Sequence, residues 1–300
     1  MPETKYAMEY GSIFVGAESN SVFPYDLTET CRNLTQVEYA MPKGSTSDYV
    51  MGVDLATSNT RLADNAVISV VKLVEHEDGS YGKRLVYLRS YHGKRLDALA
   101  DEVRMTYTRF PKIIKIVFDH RGLGDAFPQF LAQPWISPEG KEYPPFVLDD
   151  ERSVIHNAVP LLRSVKANVQ INQQLVSCLR IALEQRSIEL PISSRNIHEG
   201  RIAGSDDDDS DETPAKRKAL TTQEKAIYLE ADALQIEMGN IIMKVSSSGA
   251  YTYDTARAKQ HKDRYSSLAM AVRFISEIEE TRKRMLAGRM GGCIGVVSKM

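Results

Sequence analysis

The sequence is short of several things that would settle its class at once. Cysteine occurs only 3 times in 300 residues, at Cys31, Cys178 and Cys293, and never as a C-x-x-C pair. A disulfide framework or a thiolate zinc site is therefore not expected, and a reducing cytosol is the natural setting. No apolar run approaches the roughly 18 residues that span a bilayer, and the opening MPETKYAMEY has no signal-peptide profile. A large charge excess of either sign is missing too: 38 Lys and Arg stand against 40 Asp and Glu, a net charge of −2. No global positive field announces nucleic acid. The balance hides one block, DDDDSDE at 206–212. Without its six acids the chain has 38 basic against 34 acidic residues, a mildly basic body that can still carry a local basic groove.

What is present is an ordinary globular mix, 42% hydrophobic and 26% charged, on a chain long enough for one large α/β domain with appendages or two small domains. Residues 1–48 carry aromatic punctuation without a sustained period and end in the turn-rich MPKGSTSD; they are expected to be an interdomain arm that wraps on the following domain or on a neighbour. YVMGVDLA (49–56), AVISVVKLV (66–74) and KRLVYLRSY (83–91) are expected as three consecutive strands. A helix follows, with Leu96, Leu99, Val103 and Tyr107 on one stripe. KIIKIVFD (112–119) is a further strand, and RGLGDAFPQFL turns into a helix with Leu123, Phe127, Phe130 and Leu131 on one face. The resulting βββαβα order is an antiparallel start followed by a parallel crossover. Further on come a helix near 170–186, an edge strand SIELP, an acidic disordered loop at 203–219, a helix at 221–238, a hairpin NIIMKVSSSGAYTYD and a helix over 262–284. The main domain thus runs over 49–285, and the glycine-rich 286–300 is expected to be a flexible tail.

Two acids close predicted strands, Asp54 after VMGV and Asp119 after IKIVF. A buried apolar strand has no packing reason to end in a carboxylate, and ligands of α/β sheets bind beyond such strand ends. A turn would also explain each acid singly. Asp263 opens the final helix between Lys262 and Arg264, where capping of free N–H groups is its alternative explanation. Strand-Asp, strand-Asp, helix-Asp, with the first acid on a three-strand antiparallel unit, is the layout of an RNase H-like nuclease site. Three converging carboxylates are hard oxygen donors suited to Mg²⁺ or Mn²⁺. A two-ion site of that kind could activate water and stabilise the leaving 3′ oxygen of a phosphodiester.

Here the sequence resembles one family over about residues 5–285: the C-terminal nuclease domain of the large terminase subunit of tailed phages. AMEYGSIF with SNSVFPYDL is similar to the family's stretch joining packaging ATPase and nuclease. YVMGVDLATSNTRLADNAVISVV resembles the first nuclease hairpin, IVFDHRGLGDAFPQFL the strand-Asp-x-x-Gly-x-Gly-helix segment, INQQLVSCLRIALEQRSIELP the helix-strand segment that follows, and AKQHKDRYSSLAMAV the closing segment. The resemblance implies a mixed central sheet flanked by helices, with Asp54, Asp119 and Asp263 as catalytic metal ligands. It also implies double-stranded DNA as substrate, a terminase ATPase domain or subunit, a small terminase subunit and a portal protein as partners, and action in the host cell cytoplasm at the procapsid. No G-x-x-x-x-G-K-[ST] occurs, so the ATPase is expected to be supplied from outside this sequence.

Other residues near these motifs are weaker candidates. His120 is expected to point away from the face that Asp119 uses, whereas His261 is a candidate for proton transfer. Gly122 and Gly124 are expected to permit a turn rather than cradle phosphate. Asp64 is expected to be a turn or supporting residue, and Asp125 to sit in a first helical turn. Arg121, Lys262, Arg264 and the loop residues Lys216, Arg217 and Lys218 are either phosphate contacts or an ordinary solvated basic face. Three rival readings remain open. An actin-like phosphotransferase would need glycine and hydroxyl residues directly after Asp54, where Leu-Ala-Thr-Ser-Asn stands. A Holliday-junction resolvase and a non-catalytic packaging scaffold that grips DNA or portal are the others.

Overall fold

The computed structural model describes residues 21–55, 65–119, 126–149, 155–166, 168–198, 201–202, 219–245, 251–257 and 260–294. Strands β1 (Tyr49–Asp54), β2 (Ala66–Glu75) and β3 (Tyr81–Tyr91) form an antiparallel meander. Their long Val- and Ile-rich runs are buried on both faces, which is why they lack strict alternation. Helix α1 (Tyr25–Glu29) precedes them, and helix α2 (Leu96–Arg109) leads from β3 into β4 (Ile113–Asp119), which returns parallel to β1. Helix α3 (Ala126–Leu131) follows, then a small ladder of β5 (Trp135–Ile136) with β6 (Glu142–Tyr143). Strands β7 (Phe146–Leu148) and β8 (Val159–Val165) extend the sheet in parallel beyond β4. After helix α4 (Val169–Glu184), β9 (Ile188–Glu189) pairs on the far edge with β3. The sheet order is β7-β8-β4-β1-β2-β3-β9. An antiparallel meander whose first strand carries parallel strands on its other side is the RNase H-like arrangement, as expected.

Beyond the sheet, β10 (Ile197–His198) pairs with β11 (Arg201–Ile202), helix α5 (Thr222–Gly239) starts with a Thr221–Glu224 capping box, and β12 (Ile241–Val245) pairs with β13 (Tyr251–Thr255). The closing helix α6 spans Asp263–Ile294. Period-2 alternation divides the sheet's side chains between two cores. Tyr49, Met51, Val53, Ile116 and Phe118 face α2 and α3, with Leu99, Val103 and Phe127. Val50, Val67 and Val117 face α4 and α6, with Leu179, Leu268 and Val272.

Residues 21–48 lie against the domain that follows them. Phe23 is fully buried, Leu34 N–H and Leu190 O are 3.0 Å apart, and Arg32 is paired with Asp232 on α5. This stretch is stitched into the domain because its apolar residues fill a gap between α4 and α5. Phe130 is 39% exposed rather than on the buried stripe, because the inward side of α3 is taken by Phe127, Pro128 and Leu131. Helix α6 continues through Ile294, past the expected start of a tail at 286. Glycine costs a helix about 1 kcal/mol per residue but does not forbid it. Strands β7 and β8 were hidden in the sequence by Pro145 and Pro160. Leu123 and the acidic stretch up to 218 lie outside the described residues.

Candidate metal centre

The site begins with register. Val53 of β1 pairs with Phe118 of β4 in parallel, so the next residues, Asp54 and Asp119, leave the sheet side by side. By alternation both follow Gly52 and Val117 onto the α6 face. Helix α6 is held against that face by an unusually close seam. Ser267 Oγ donates to Gly52 O at 3.0 Å and lies 2.8 Å from Ser69 Oγ. A Cβ on Gly52 would stand 2.0 Å from Ser267 O, so only glycine lets the helix lie this near the strand. One turn before Ser267, on the same side of the helix, is Asp263.

The first turn of α6 is fixed from several directions. Asp263 is buried, and its Oδ2 accepts the Asn65 N–H at 2.9 Å, tying the helix to the start of β2. His261 Nδ1 lies 3.5 Å from the same oxygen. Glu237, reaching across from α5, accepts the N–H groups of Arg264 (2.8 Å) and Tyr265 (3.1 Å) and pairs with Arg264 Nη1 at 2.7 Å. Arg264 is also bonded to Glu230 at 2.5 Å and to Ser90 Oγ at 3.1 Å. Its guanidinium is therefore consumed inside the fold and is not a phosphate contact. That alternative, a solvated basic face, fails as well: the side chain is only 14% exposed.

Electrostatics show how close the acids come. Burial pushes the Asp54 carboxyl well above its ordinary range, and the Asp263 and Asp119 carboxylates push it further in the same direction. The Ser266 hydroxyl, hydrogen-bonded to Asp54, opposes them. Burial likewise raises Glu237, against the pull of Arg264. Among the described residues, no three His, Cys, Asp or Glu side chains form a group that could hold a metal ion as they stand. The three acids thus face one region without closing into a cage. As donors they nevertheless fit a hard divalent cation, and the mutual repulsion felt at Asp54 is what such a cation would relieve.

Beside the acids a cleft opens, bordered by Asp119, Lys262 and Ser266, with Val165, Leu175, Ile241 and Met270 as its apolar lining. Lys262 also borders the cleft, its Nζ donating to Asp254 of β13 at 2.7 Å. Asp64, His120, Arg121, Gly122, Gly124, Asp125 and Lys216, Arg217 and Lys218 lie outside the described residues. Sequence reasoning missed Gly52, Ser266, Ser267 and Glu237. Two signals were available: the glycine at 52 inside a buried strand, and the run Ser266-Ser267 inside a buried apolar helix pattern, since small residues mark close approach.

The seven-stranded mixed sheet thus carries carboxylates at the ends of β1 and β4, with a third at the head of α6. No protein-family model and no curated protein matches the sequence. Among solved structures the chain is similar to the large terminase nuclease from thermophilic phage G20c with bound magnesium, at 16% identity and a TM-score of 0.49, covering 85% of this chain and 97% of that one. It is similar also to the HK97 bacteriophage large terminase, at 10% identity and a TM-score of 0.47, covering 85% of this chain and 43% of that one. A third is the nuclease domain of the large terminase subunit gp2 of bacterial virus Sf6, at 11% identity and a TM-score of 0.45, covering 84% and 98%.

Proposed function

We propose that this chain is a metal-dependent endonuclease that cuts double-stranded, concatemeric viral DNA during genome packaging, with Asp54, Asp119 and Asp263 as its metal ligands. The observation that carries the reading is the delivery of those three carboxylates, from positions 54, 119 and 263, to one region beside a cleft. Bound Mg²⁺ or Mn²⁺, as one ion or a pair, would supply water activation and charge stabilisation at the leaving oxygen. The rest is the work of the chain itself. Asp54 feels the charge of both other acids, and the Ser266 hydroxyl is hydrogen-bonded to it. Asp263 is braced by the Asn65 N–H and approached by His261, whose half-exposed ring suits it to passing protons between that region and solvent. Lys262 offers its ammonium to a backbone phosphate at the cleft edge, a contact blind to sequence and weakened by salt. Cutting by this chain alone would accordingly show little sequence preference. An ATPase motor, a small terminase subunit and a portal would position the DNA, in the host cytoplasm at the procapsid. Among the described residues no helix is long and apolar enough to cross a membrane.

Supercoiled plasmid incubated with Mg²⁺, Mn²⁺ or EDTA tests the reading. Nicking and linearisation are expected with either ion and not with EDTA. Asp54→Asn, Asp119→Asn and Asp263→Asn should each lose about 100-fold or more. In parallel, the ion should raise the thermal midpoint of the native chain but not of Asp54→Asn, since only a bound ligand stabilises by mass action. Cutting that survives EDTA, or survives Asp54→Asn, would overturn the assignment.

A further inference from the structure

Asp263 stands where two uses of a carboxylate compete. An acid in the first turn of a helix is drawn to that helix's own free N–H groups and positive end. A metal ligand has to be turned away from them. The bonds at the head of α6 show which use prevails. The Lys262 carbonyl accepts the Ser266 N–H at 2.8 Å, which makes Lys262 the N-cap residue. An N-cap side chain ordinarily accepts from the N–H groups two and three positions on, here those of Arg264 and Tyr265. Lysine has no acceptor to offer, and its ammonium is donated to Asp254. The local sequence therefore leaves two N–H groups within the pull of the Asp263 carboxylate.

The acceptor comes from another helix. Glu237 of α5, 27 residues before Arg264, takes both groups on one oxygen: its Oε2 accepts the Arg264 N–H at 2.8 Å and the Tyr265 N–H at 3.1 Å. Its other oxygen accepts from Arg264 Nη1 at 2.7 Å, so the cap is itself locked in place. A carboxylate only 5% exposed is tolerated there because both its oxygens are bonded. Asp263 turns elsewhere. Its Oδ2 accepts the Asn65 N–H at 2.9 Å, next to the β2 residues that pair with the Asp54 end of β1.

We infer that Glu237 is a positioning residue of the metal centre: by capping α6 from α5 it releases Asp263 from capping and keeps that carboxylate with Asp54 and Asp119, where it can serve a cation. The inference rests on the proposal that these three acids bind metal, and it adds a residue that acts through the backbone of the helix.

Mn²⁺ binding followed by electron paramagnetic resonance, with no DNA present, reads the readiness of Asp263 apart from cutting. Loss of a partner that orients a metal ligand costs about 10–100-fold in affinity, so Glu237→Ala should bind Mn²⁺ about tenfold or more weakly than the native chain. Glu237→Gln keeps an oxygen for the two N–H groups and should stay within about threefold of native. A local cap approaches the same point from the other side. Lys262→Ser places a hydroxyl acceptor at the N-cap. Added to Glu237→Ala, it should bring Mn²⁺ affinity most of the way back to that of Lys262→Ser alone, the reference that corrects for the lost ammonium. Glu237→Ala is also expected to lose stability, so the native chain supplies a reading that needs no variant. In EDTA its Arg264 and Tyr265 amides should be protected from hydrogen exchange.

Equal Mn²⁺ affinity in the native chain and folded Glu237→Ala overturns the inference. So does Glu237→Gln binding as weakly as Glu237→Ala, which would make charge rather than capping the cause, and so does a double variant that recovers nothing. Unprotected Arg264 and Tyr265 amides in the native chain overturn it without any substitution. A native chain that binds no Mn²⁺ sinks the metal-centre reading itself, and the inference with it.

Discussion

The contact between β1 and α6 changes character within one helical turn. At Gly52 and Ser267 strand and helix touch backbone to backbone, the Ser267 hydroxyl is bonded to Gly52 O and Ser69 Oγ, and there is no room for a methyl group. At Asp54 and Asp263, two residues on along the strand and four back along the helix, the same two elements bring like charges together around a cleft. The first region is built for stability, whereas the second holds groups that destabilise one another. The lesson is that the tight end clamps the loose end: the carboxylates cannot drift apart to relieve repulsion while Gly52 and Ser267 fix the spacing. That is preorganisation, gained at a local energetic cost.

The harshest way to break this contrast is Gly52→Ala. The new Cβ would meet the Ser267 carbonyl oxygen at 2.0 Å, and trimming the Ser267 side chain cannot relieve a clash with backbone. A loss of about 4 kcal/mol is expected in urea unfolding, and Gly52→Ala combined with Ser267→Ala should recover none of it. Recovery in the double variant would mean that the seam is held by the hydroxyl and not by backbone proximity.

Next in size is Glu237→Ala. It leaves the Arg264 and Tyr265 N–H groups without their acceptor and strips one carboxylate from a nearly buried arginine. About 3 kcal/mol should be lost. Glu237→Gln, which keeps an acceptor for the helix N–H groups, should lose clearly less. Equal losses in the two variants would assign the whole effect to charge.

How far these regions were legible in the sequence follows the same division. The acids could be found because each interrupts a pattern: Asp54 and Asp119 end apolar runs, and Asp263 heads an apolar helix. The meander, α2, β4 and the late helices were legible from periodicity for the same reason. Gly52 was visible only as a glycine in a buried strand, a sign of close approach, but the group that approaches it lies 215 residues away, and no local spacing can name it. Arg264 misled because a charged residue beside a predicted ligand looks exposed until α5 and β3 are seen to supply Glu230, Glu237 and Ser90. β8 escaped because Pro160 and Arg163 break its apolar run, although it lies inside the sheet between β7 and β4.

A smaller effect tests the clamp itself. Ser267→Ala removes one buried hydroxyl that serves both Gly52 O and Ser69 Oγ, at a cost of about 1–2 kcal/mol. If the seam sets the spacing of the acids, metal-dependent nicking should weaken along with stability, even though Ser267 borders neither the acids nor the cleft. Stability lost with nicking intact would show that the carboxylates are positioned by the Asn65 and Glu237 contacts alone.

The smallest effect carries the opposite sign. Asp54→Asn keeps the shape of the side chain and an oxygen to accept from Ser266, but takes away a partly buried carboxyl that the Asp263 and Asp119 carboxylates disfavour in its charged form. Native Asp54 is harder to ionise in the fold than in the unfolded chain, because burial and the Asp263 and Asp119 carboxylates all disfavour its charge. At neutral pH that mismatch destabilises the metal-free protein, so Asp54→Asn should raise its stability by about 1 kcal/mol, read as a higher thermal midpoint in EDTA. Leu55→Ala, a neighbour on the buried side, should lower it and serves as the control for general disturbance. Were Asp54→Asn to lower the midpoint instead, the carboxylate would be structural, and the contrast between a stabilising seam and a strained mouth would not hold.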